Sequence, residues 1–322
     1  MDQVMARKVI IDCDVSTDDA VALSMALFDP RLEVIAITAC EGCVGYEQAN
    51  SNLQAILNQL DPDKYPRVGL AAPVEGAPAI GTAFLYGEDG LGNADFPVSQ
   101  LQHVHPSEKV IIDLVRANPG DITLMCLGPL TNVARAIQRE PTLPSLVHRL
   151  IVTGGCIEVP GNVTPAADFN FYFDPHSARK VLQSRASLTL IPLDVTTQVS
   201  FGLDLLQEIP GVDSRVGYFL HQILPHAFRT YRQQLGRETI TLNDAIGILA
   251  LIEPSLFRFE EMAGDVETHG ELTRGATIFD RRMPMEWSLN MEVAVEIDAD
   301  AARREFRTRL AHAGQMTPRG AD

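Results

Sequence analysis

Positive charge is scarce in this chain of 322 residues: 26 Lys and Arg stand against 42 Asp and Glu, a net charge of −16. Nucleic acid and anionic membrane would repel such a surface, so nonspecific binding to either is excluded, while a small neutral substrate is not. Cysteine is sparse as well. Cys13, Cys40, Cys43, Cys126 and Cys156 are odd in number, lie mostly in or beside apolar runs and follow no zinc spacing, which fits reduced thiols in a cytoplasmic protein. No apolar run approaches the ~18 residues of a membrane span, and residues 1–7 are too short and polar for a signal peptide. A G-x-S-x-G elbow, a Walker A loop and a G-x-G-x-x-G turn after the first strand are all missing, which removes the motif support for a serine hydrolase or a nucleotide cradle. With 46% hydrophobic residues, no repeat, no low-complexity tract and no clean boundary, residues 1–313 are expected to form one domain, followed by a frayed, flexible tail at 314–322.

What is present is concentrated early. Residues 8–27, KVIIDCDVSTDDAVALSMAL, run from an apolar segment through four carboxylates directly into an amphipathic helix. That is the pattern of a buried strand feeding a helix through a short acidic loop. Asp12 and Asp14, two apart on an extended segment, point to one side of the strand end. Ser16 and Thr17 can cap the helix that 20–27 continues, with Asp18 and Asp19 at its start. Carboxylates there gain ~0.3–1 kcal/mol from the helix dipole, which explains Asp18 and Asp19 as a solvated acidic loop but leaves Asp14 unexplained. Three or four carboxylates converging on one strand end repel one another unless a cation joins them, and all-oxygen ligation selects a hard ion such as Ca²⁺ or Mg²⁺.

Strand and helix then alternate. Residues 32–38 are apolar and β-rich, and 46–60 carry helical spacing at Ala49, Leu53, Ile56, Leu57 and Leu60. A short strand at 67–71 precedes the Gly- and Pro-rich loop 72–97, long enough to be functional and containing GEDGLG. The pattern continues with helix at 107–117, buried strand at 122–127, helix at 130–139, strand at 150–153, a helix from the Asp174-Pro175 cap to 182, and strand at 188–192. Such βαβ alternation predicts an α/β fold: an open, mainly parallel sheet with helices on both faces. Later, 214–235 is a long helical pattern that Pro225 should kink or split, and 244–252 a short apolar helix. Residues 264–279 and 291–297 read as late strands joined by a turn-rich linker, and 301–312 as a closing charged helix.

Three further stretches offer partners for the acidic loop. In Leu127-Gly128-Pro129-Leu130-Thr131-Asn132 the Leu127 carbonyl ends a strand where it can face a metal, although a plain strand-to-helix turn has the same spacing. In GNVTPAADFNFYFDP, residues 161–175, Asn162, Asp168 and Asn170 bring amides and a carboxylate into one loop. Vicinal hydroxyls of a sugar want both donors and acceptors, so such a loop can hold a ribosyl group; turn chemistry alone explains the same residues. Asn243 opens a helix as a cap or a site residue, and Asp244 beside it can act as a far-sequence metal ligand. His221 and His226 lie five apart on the long helical stretch, ahead of Arg229, Tyr231 and Arg232.

Taken together these motifs resemble the inosine-uridine-preferring nucleoside hydrolases, calcium-dependent ribohydrolases with a DxDxxxDD signature. The resemblance spans nearly the whole chain: the acidic loop, GCVGYEQA at 42–49, GEDGLG at 87–92, LGPLTNVA at 127–134, GNVTPAADFN at 161–170, the Asn243-Asp244 helix start and GELTRGATIFDRR at 270–282. It implies a Rossmann-like sheet, a homodimer or homotetramer, and a role in purine or pyrimidine salvage. It further implies that Asp14, Asp19, Asp244 and the backbone oxygen of Leu127 bind Ca²⁺, and that Asp18, Asn162 and Asn170 grip the ribose. The reaction implied is hydrolysis of the N-glycosidic bond of a ribonucleoside or related N-ribosyl compound. Calcium lowers the pKa of a water, Asp14 takes its proton, and the oxygen attacks C1′ as oxocarbenium character develops.

Four pocket positions depart from the family pattern. Cys43 replaces an Asn, Tyr86 a His, Asp168 a Glu that contacts the ribose, and Asn243 the His that precedes the metal-binding Asp. Asp168 is one methylene short, a retreat of roughly 1.5 Å, and misplacement on the order of 1 Å can cost about a hundredfold in rate. Asn243 cannot donate a proton at neutral pH, so Tyr231, His221 or His226 must serve, or the leaving group must depart unaided. Two other readings follow. One is a non-catalytic, Ca²⁺-dependent ribosyl-binding protein. The other, from Asp12-Cys13-Asp14-Val15-Ser16, is a phosphatase of the haloacid dehalogenase type with Asp12 as nucleophile.

Overall fold

The computed structural model describes residues 6–98 and 105–319, so the expectations for residues 1–5 and 320–322 lie outside it. Seven strands follow in chain order: β1 (Arg7–Cys13), β2 (Leu32–Ala39), β3 (Arg67–Leu70), β4 (His105–Pro106), β5 (Ile122–Cys126), β6 (Arg149–Thr153) and β7 (Leu188–Ile191). With Met291–Ile297 and Phe257–Met262 they form one nine-stranded sheet. Its order is Phe257–Met262, Met291–Ile297, β7, β6, β5, β1, β2, β3, β4, and only the first pair is antiparallel. The α/β class predicted from the alternation, open and mainly parallel, is the one that forms. Strand order reverses between β1 and β5, and such a switch point opens a crevice beyond the carboxyl ends of the two strands. Asp14 and Leu127 are the residues found there.

The period of two along β1 distributes its side chains between two cores. Val9, Ile11 and Cys13 join one apolar cluster with the helices Thr17–Ala26, Tyr46–Leu60, Arg215–Leu235, Asn243–Ile252 and Ala299–Met316. Ile10 joins the other, with Ser107–Ala117, Thr131–Arg139 and Pro175–Leu182.

Several expectations change. The Thr17–Ala26 helix is not amphipathic in its setting: all ten of its residues are buried, because it is packed against Asn243–Ile252, Arg215–Leu235 and Ala299–Met316 as well as the sheet. Pro225 does not split the Arg215–Leu235 helix. Phe219, Leu220, Ile223 and Leu224 before it and Ala227 and Phe228 after it are buried on one continuous stripe. At ~1.5–3 kcal/mol for each large apolar side chain, that burial outweighs the ~3 kcal/mol penalty of an interior proline. The 264–279 segment forms two short antiparallel strands, Gly264–Val266 and Thr277–Phe279, in a separate small sheet. The edge strand Phe257–Met262 was not foreseen. The long 72–97 loop contains a helical turn, Ala83–Tyr86. The closing helix runs on to Met316, and beyond it Thr317 O accepts from Arg215 N at 2.7 Å and Arg319 N donates to Asp213 O at 2.9 Å. Residues 314–319 are therefore tied to the long helix's start rather than frayed. Among the described residues no helix is long and apolar enough to cross a membrane.

Candidate active site

The acidic loop owes its shape to one residue. Val15 sits in the left-handed region at φ 61, which costs a β-branched residue ~1–3 kcal/mol and turns the chain sharply between strand and helix. Asn52 Nδ2 supports the turn by donating to Val15 O at 3.0 Å. Beyond it Ser16 caps the helix in a capping box, with Asp19 Oδ2 accepting from Ser16 N at 2.8 Å and Ser16 Oγ at 3.1 Å. Asp14 is fixed from the next loop: its Oδ2 accepts from Cys43 N at 2.7 Å. A Cβ at Gly42 would fall 2.3 Å from that oxygen, so the approach requires glycine.

Asp14, Asp18, Cys43, Tyr86, Leu127, Asn162, Asp168, Asn170, Asn243 and Asp244 all line one cavity of about 570 Å³, within the usual range for a small-molecule site. Asp19 lies behind the wall. The cavity's carboxylates are mutually unfavourable. Burial, then repulsion from Asp14, raises Asp18 to about 7, although the backbone amides of Asp244, Asn243 and Ala245 pull it back. Burial pushes Asp19 well up, with Asp14 next to it, and Asp244 well up, with Asp18, Asp19 and Asp14 adding to the effect. Asp18 Oδ1 and Asp19 Oδ1 are buried with no hydrogen-bond partner. Among the described residues, no three His, Cys, Asp or Glu side chains are set out as a ready-made cation cage.

The amide-rich loop is held just as firmly. Asn162 Oδ1 accepts from Phe169 N at 2.7 Å, and Asn170 Nδ2 donates to Leu127 O at 2.7 Å and to Thr153 O at 3.2 Å. Asp168 caps the Phe169–Phe173 helix, accepting from Asn170 N at 3.0 Å. Burial raises it to about 6, against the backbone amides of Gly155, Phe171, Asn170 and Phe169. Of the two readings of Asn243, the cap does not hold: Leu242 takes that position, Asn243 is the first helical residue, it lines the cavity, and its Oδ1 is buried without a partner.

Of the three candidate proton donors, Tyr231 lines the cavity, its hydroxyl 3.3 Å from Thr241 Oγ1, whereas His221 and His226 do not. Asp12 does not share Asp14's cavity either. It is fully buried, accepting from Thr38 Oγ1 at 2.5 Å and Asn132 Nδ2 at 2.9 Å, which rules it out as a phosphatase nucleophile. Sequence reasoning missed Thr153, Phe84, Arg237 and Thr241 on the wall. It also missed Asp194, whose carboxylate accepts from Ile157 N at 2.7 Å, Glu158 N at 2.8 Å and Val159 N at 3.3 Å and so shapes the loop at 157–163. The Gly154-Gly155 pair, with φ of 125° and 75°, was the available signal that the chain bends into a site there.

With this geometry in hand, the comparisons with known proteins are consistent. Residues 9–304 match the sequence model of the family described as inosine-uridine preferring nucleoside hydrolase. The non-specific ribonucleoside hydrolase RihC of Salmonella enteritidis is 33% identical over 297 residues, 92% of this chain and 95% of that protein. Among solved structures, a plant nucleoside hydrolase, PpNRh1, superimposes with a TM-score of 0.86 at 30% identity, covering 94% of this chain and 98% of that one. A purine-preferring ribonucleoside hydrolase from Gardnerella vaginalis gives 0.88 at 27% identity, covering 97% and 100%. Motif order, sheet topology and these relatives agree over nearly the whole length, and the chain belongs to the inosine-uridine preferring nucleoside hydrolase family of N-glycosyl hydrolases.

Proposed function

We propose that this chain hydrolyses the N-glycosidic bond of a ribonucleoside, or a related N-ribosyl compound, with Ca²⁺ as its metal. The observation that carries the reading is the convergence of Asp14, Asp18, Asp244, Asn162, Asp168 and Asn170 on one sugar-sized cavity at the switch point of the sheet. The donor set fits a hard cation: carboxylates that raise one another's pKa, the buried Asp19 Oδ1 without a partner, and a Leu127 carbonyl with a second lone pair beyond the one that Asn170 engages. Asp14, Asp19, Asp244 and Leu127 O would hold it, and when bound it would supply Lewis-acid activation of water.

The remaining steps belong to the chain's own side chains. Asp14, anchored through Oδ2 on the Cys43 amide, takes the proton of the attacking water with its other oxygen. Asp18, Asn162, Asp168 and Asn170 hold the ribose hydroxyls, and Cys43 and Tyr86 close the wall around them. Tyr231 hydrogen-bonds the base. Burial raises its phenol above the ordinary value, so it stays protonated and serves as a donor throughout the neutral range. The five cysteines are free thiols, which supports a cytoplasmic setting, and a homodimer or homotetramer is the proposed assembly, to be read from light scattering.

The test is release of ribose and free base from a panel of purine, pyrimidine and nicotinamide ribosides. Release is expected with Ca²⁺, is lost with a chelator and returns on adding Ca²⁺. Asp14→Asn is expected to lower kcat by about 10²–10⁴. Calcium binding without release of base from any member of the panel would remove the reading. Stabilisation by ribose without turnover would put the non-catalytic binding protein in its place.

A further inference from the structure

The cavity wall contains no histidine and no lysine among the described residues, and its one cation is Arg237. With the carboxyl groups of the wall assigned above to the metal and the ribose, a leaving base meets no other group of ordinary acidity that can protonate it, since Asn243 has no ionisable proton and the Tyr231 phenol is made less acidic by burial. Departure then depends on stabilising negative charge rather than on delivering a proton. Arg237 lines this wall while staying exposed to solvent, and its backbone is fixed by the end of the long helix. Gly236, at φ 63, ends the Arg215–Leu235 helix and reverses the chain, and Arg237 N donates to Tyr231 O at 3.0 Å, pinning Arg237 beside the tyrosine on the same wall. The neighbouring acid Glu238 is paired with Arg232 at 3.5 Å.

We propose that Arg237 is a specificity-determining residue that receives the departing base as an anion, doing by charge what a proton donor would otherwise do. The inference rests on the hydrolytic reading above. In the step, the C1′–N bond breaks with its electron pair passing to the base, the water oxygen bonds to C1′, and one water proton goes to Asp14. The base anion lies against Arg237, takes a proton from solvent water on release, and Asp14 returns its own proton to solvent, so nucleoside and water give ribose and neutral base. A guanidinium stays charged throughout the accessible pH range and offers a fork of N–H donors, which suits carbonyl oxygens carrying the delocalised charge of bases such as uracil or hypoxanthine.

The experiment compares wild type, Arg237→Gln and Arg237→Lys on uridine, inosine and 4-nitrophenyl β-D-ribofuranoside, in Ca²⁺. The nitrophenolate leaves without help and so reports cleavage independently of base stabilisation. Arg237→Gln is expected to lose at least about tenfold in kcat on uridine and inosine, a discounted share of the 10²–10³ typical for a buried charge-stabilising donor. The same variant should change less than about twofold on the nitrophenyl riboside, and Arg237→Lys should recover part of the loss. An equal loss on all three substrates, or no loss on the nucleosides, overturns the assignment. Absence of turnover by wild type on every substrate removes the hydrolytic reading and this inference with it, whereas wild-type turnover that ignores Arg237 removes the inference alone.

Discussion

Asp168 carries two duties that a longer acid could not combine. As the cap of the Phe169–Phe173 helix it accepts from Asn170 N and Phe171 N, at 3.0 and 3.4 Å, while lining the cavity. Its carboxylate lies so close to the preceding turn that a Cβ at Gly154 would come within 2.5 Å of Asp168 Oδ1. Asp and Asn cap helices well, whereas a longer side chain reaches past the first-turn amides. Two substitutions separate the duties. Asp168→Asn keeps the cap and should leave the melting temperature unchanged, but removes the negative charge beside the developing oxocarbenium ion and should lower kcat about tenfold to a hundredfold. Asp168→Glu keeps the charge but loses the cap, with an expected cost of about 1 kcal/mol, on the order of 2 °C in a thermal melt. A thermal loss in Asp168→Asn with none in Asp168→Glu would show that charge, not capping, anchors this residue.

At the scale of elements, the wall at 157–163 depends on one side chain from the Leu193–Thr196 helical turn. Asp194 gathers three successive backbone amides, and hydrogen bonds to a charged group contribute ~1.5–3 kcal/mol. Asp194→Ala should loosen the loop that presents Asn162, raising KM for a ribonucleoside by about tenfold with a smaller change in kcat. A kcat loss at constant KM would contradict this. The same element shows why only part of the site was legible in the sequence. Asp12 to Asp19 and the 161–170 loop announce themselves because their polar groups are dense in one stretch, as do the long periodic helices Tyr46–Leu60 and Ser107–Ala117. Asp194, Thr153 and Arg237 are single residues whose roles arise only when distant segments meet. His226 misled because it lies five residues, roughly 140° round the helix, from the cavity-facing Tyr231. The Phe257–Met262 strand was overlooked because an edge strand of sequence FRFEEM is half exposed and charged.

Across the whole molecule, the turn after the first helix is joined to the closing helix through one buried carboxylate. Asp29 accepts from Arg31 N, Nε and Nη2, each at 2.9 Å, and from Arg309 Nη1 at 3.3 Å on the closing helix, while Arg31 reaches Glu253 at 3.3 Å and Glu305 at 3.4 Å. Burial alone would raise Asp29, but the Arg31 side-chain and backbone N–H groups and the Arg31 and Arg309 charges hold it below the ordinary value. A carboxylate whose pKa is lower folded than unfolded stabilises the fold above the unfolded value of ~3.9, and that contribution disappears as pH falls through the folded one. Removing one partner of a buried charged network leaves the guanidinium groups short of an acceptor, so Asp29→Asn should cost about 1–3 kcal/mol at pH 7. Chemical denaturation of the two proteins at intervals from pH 7 down to pH 3 measures this directly. The stability difference should hold constant to about pH 5 and narrow below the unfolded value. A difference that stayed constant to pH 3 would mean that Asp29 acts through packing and not through its charge.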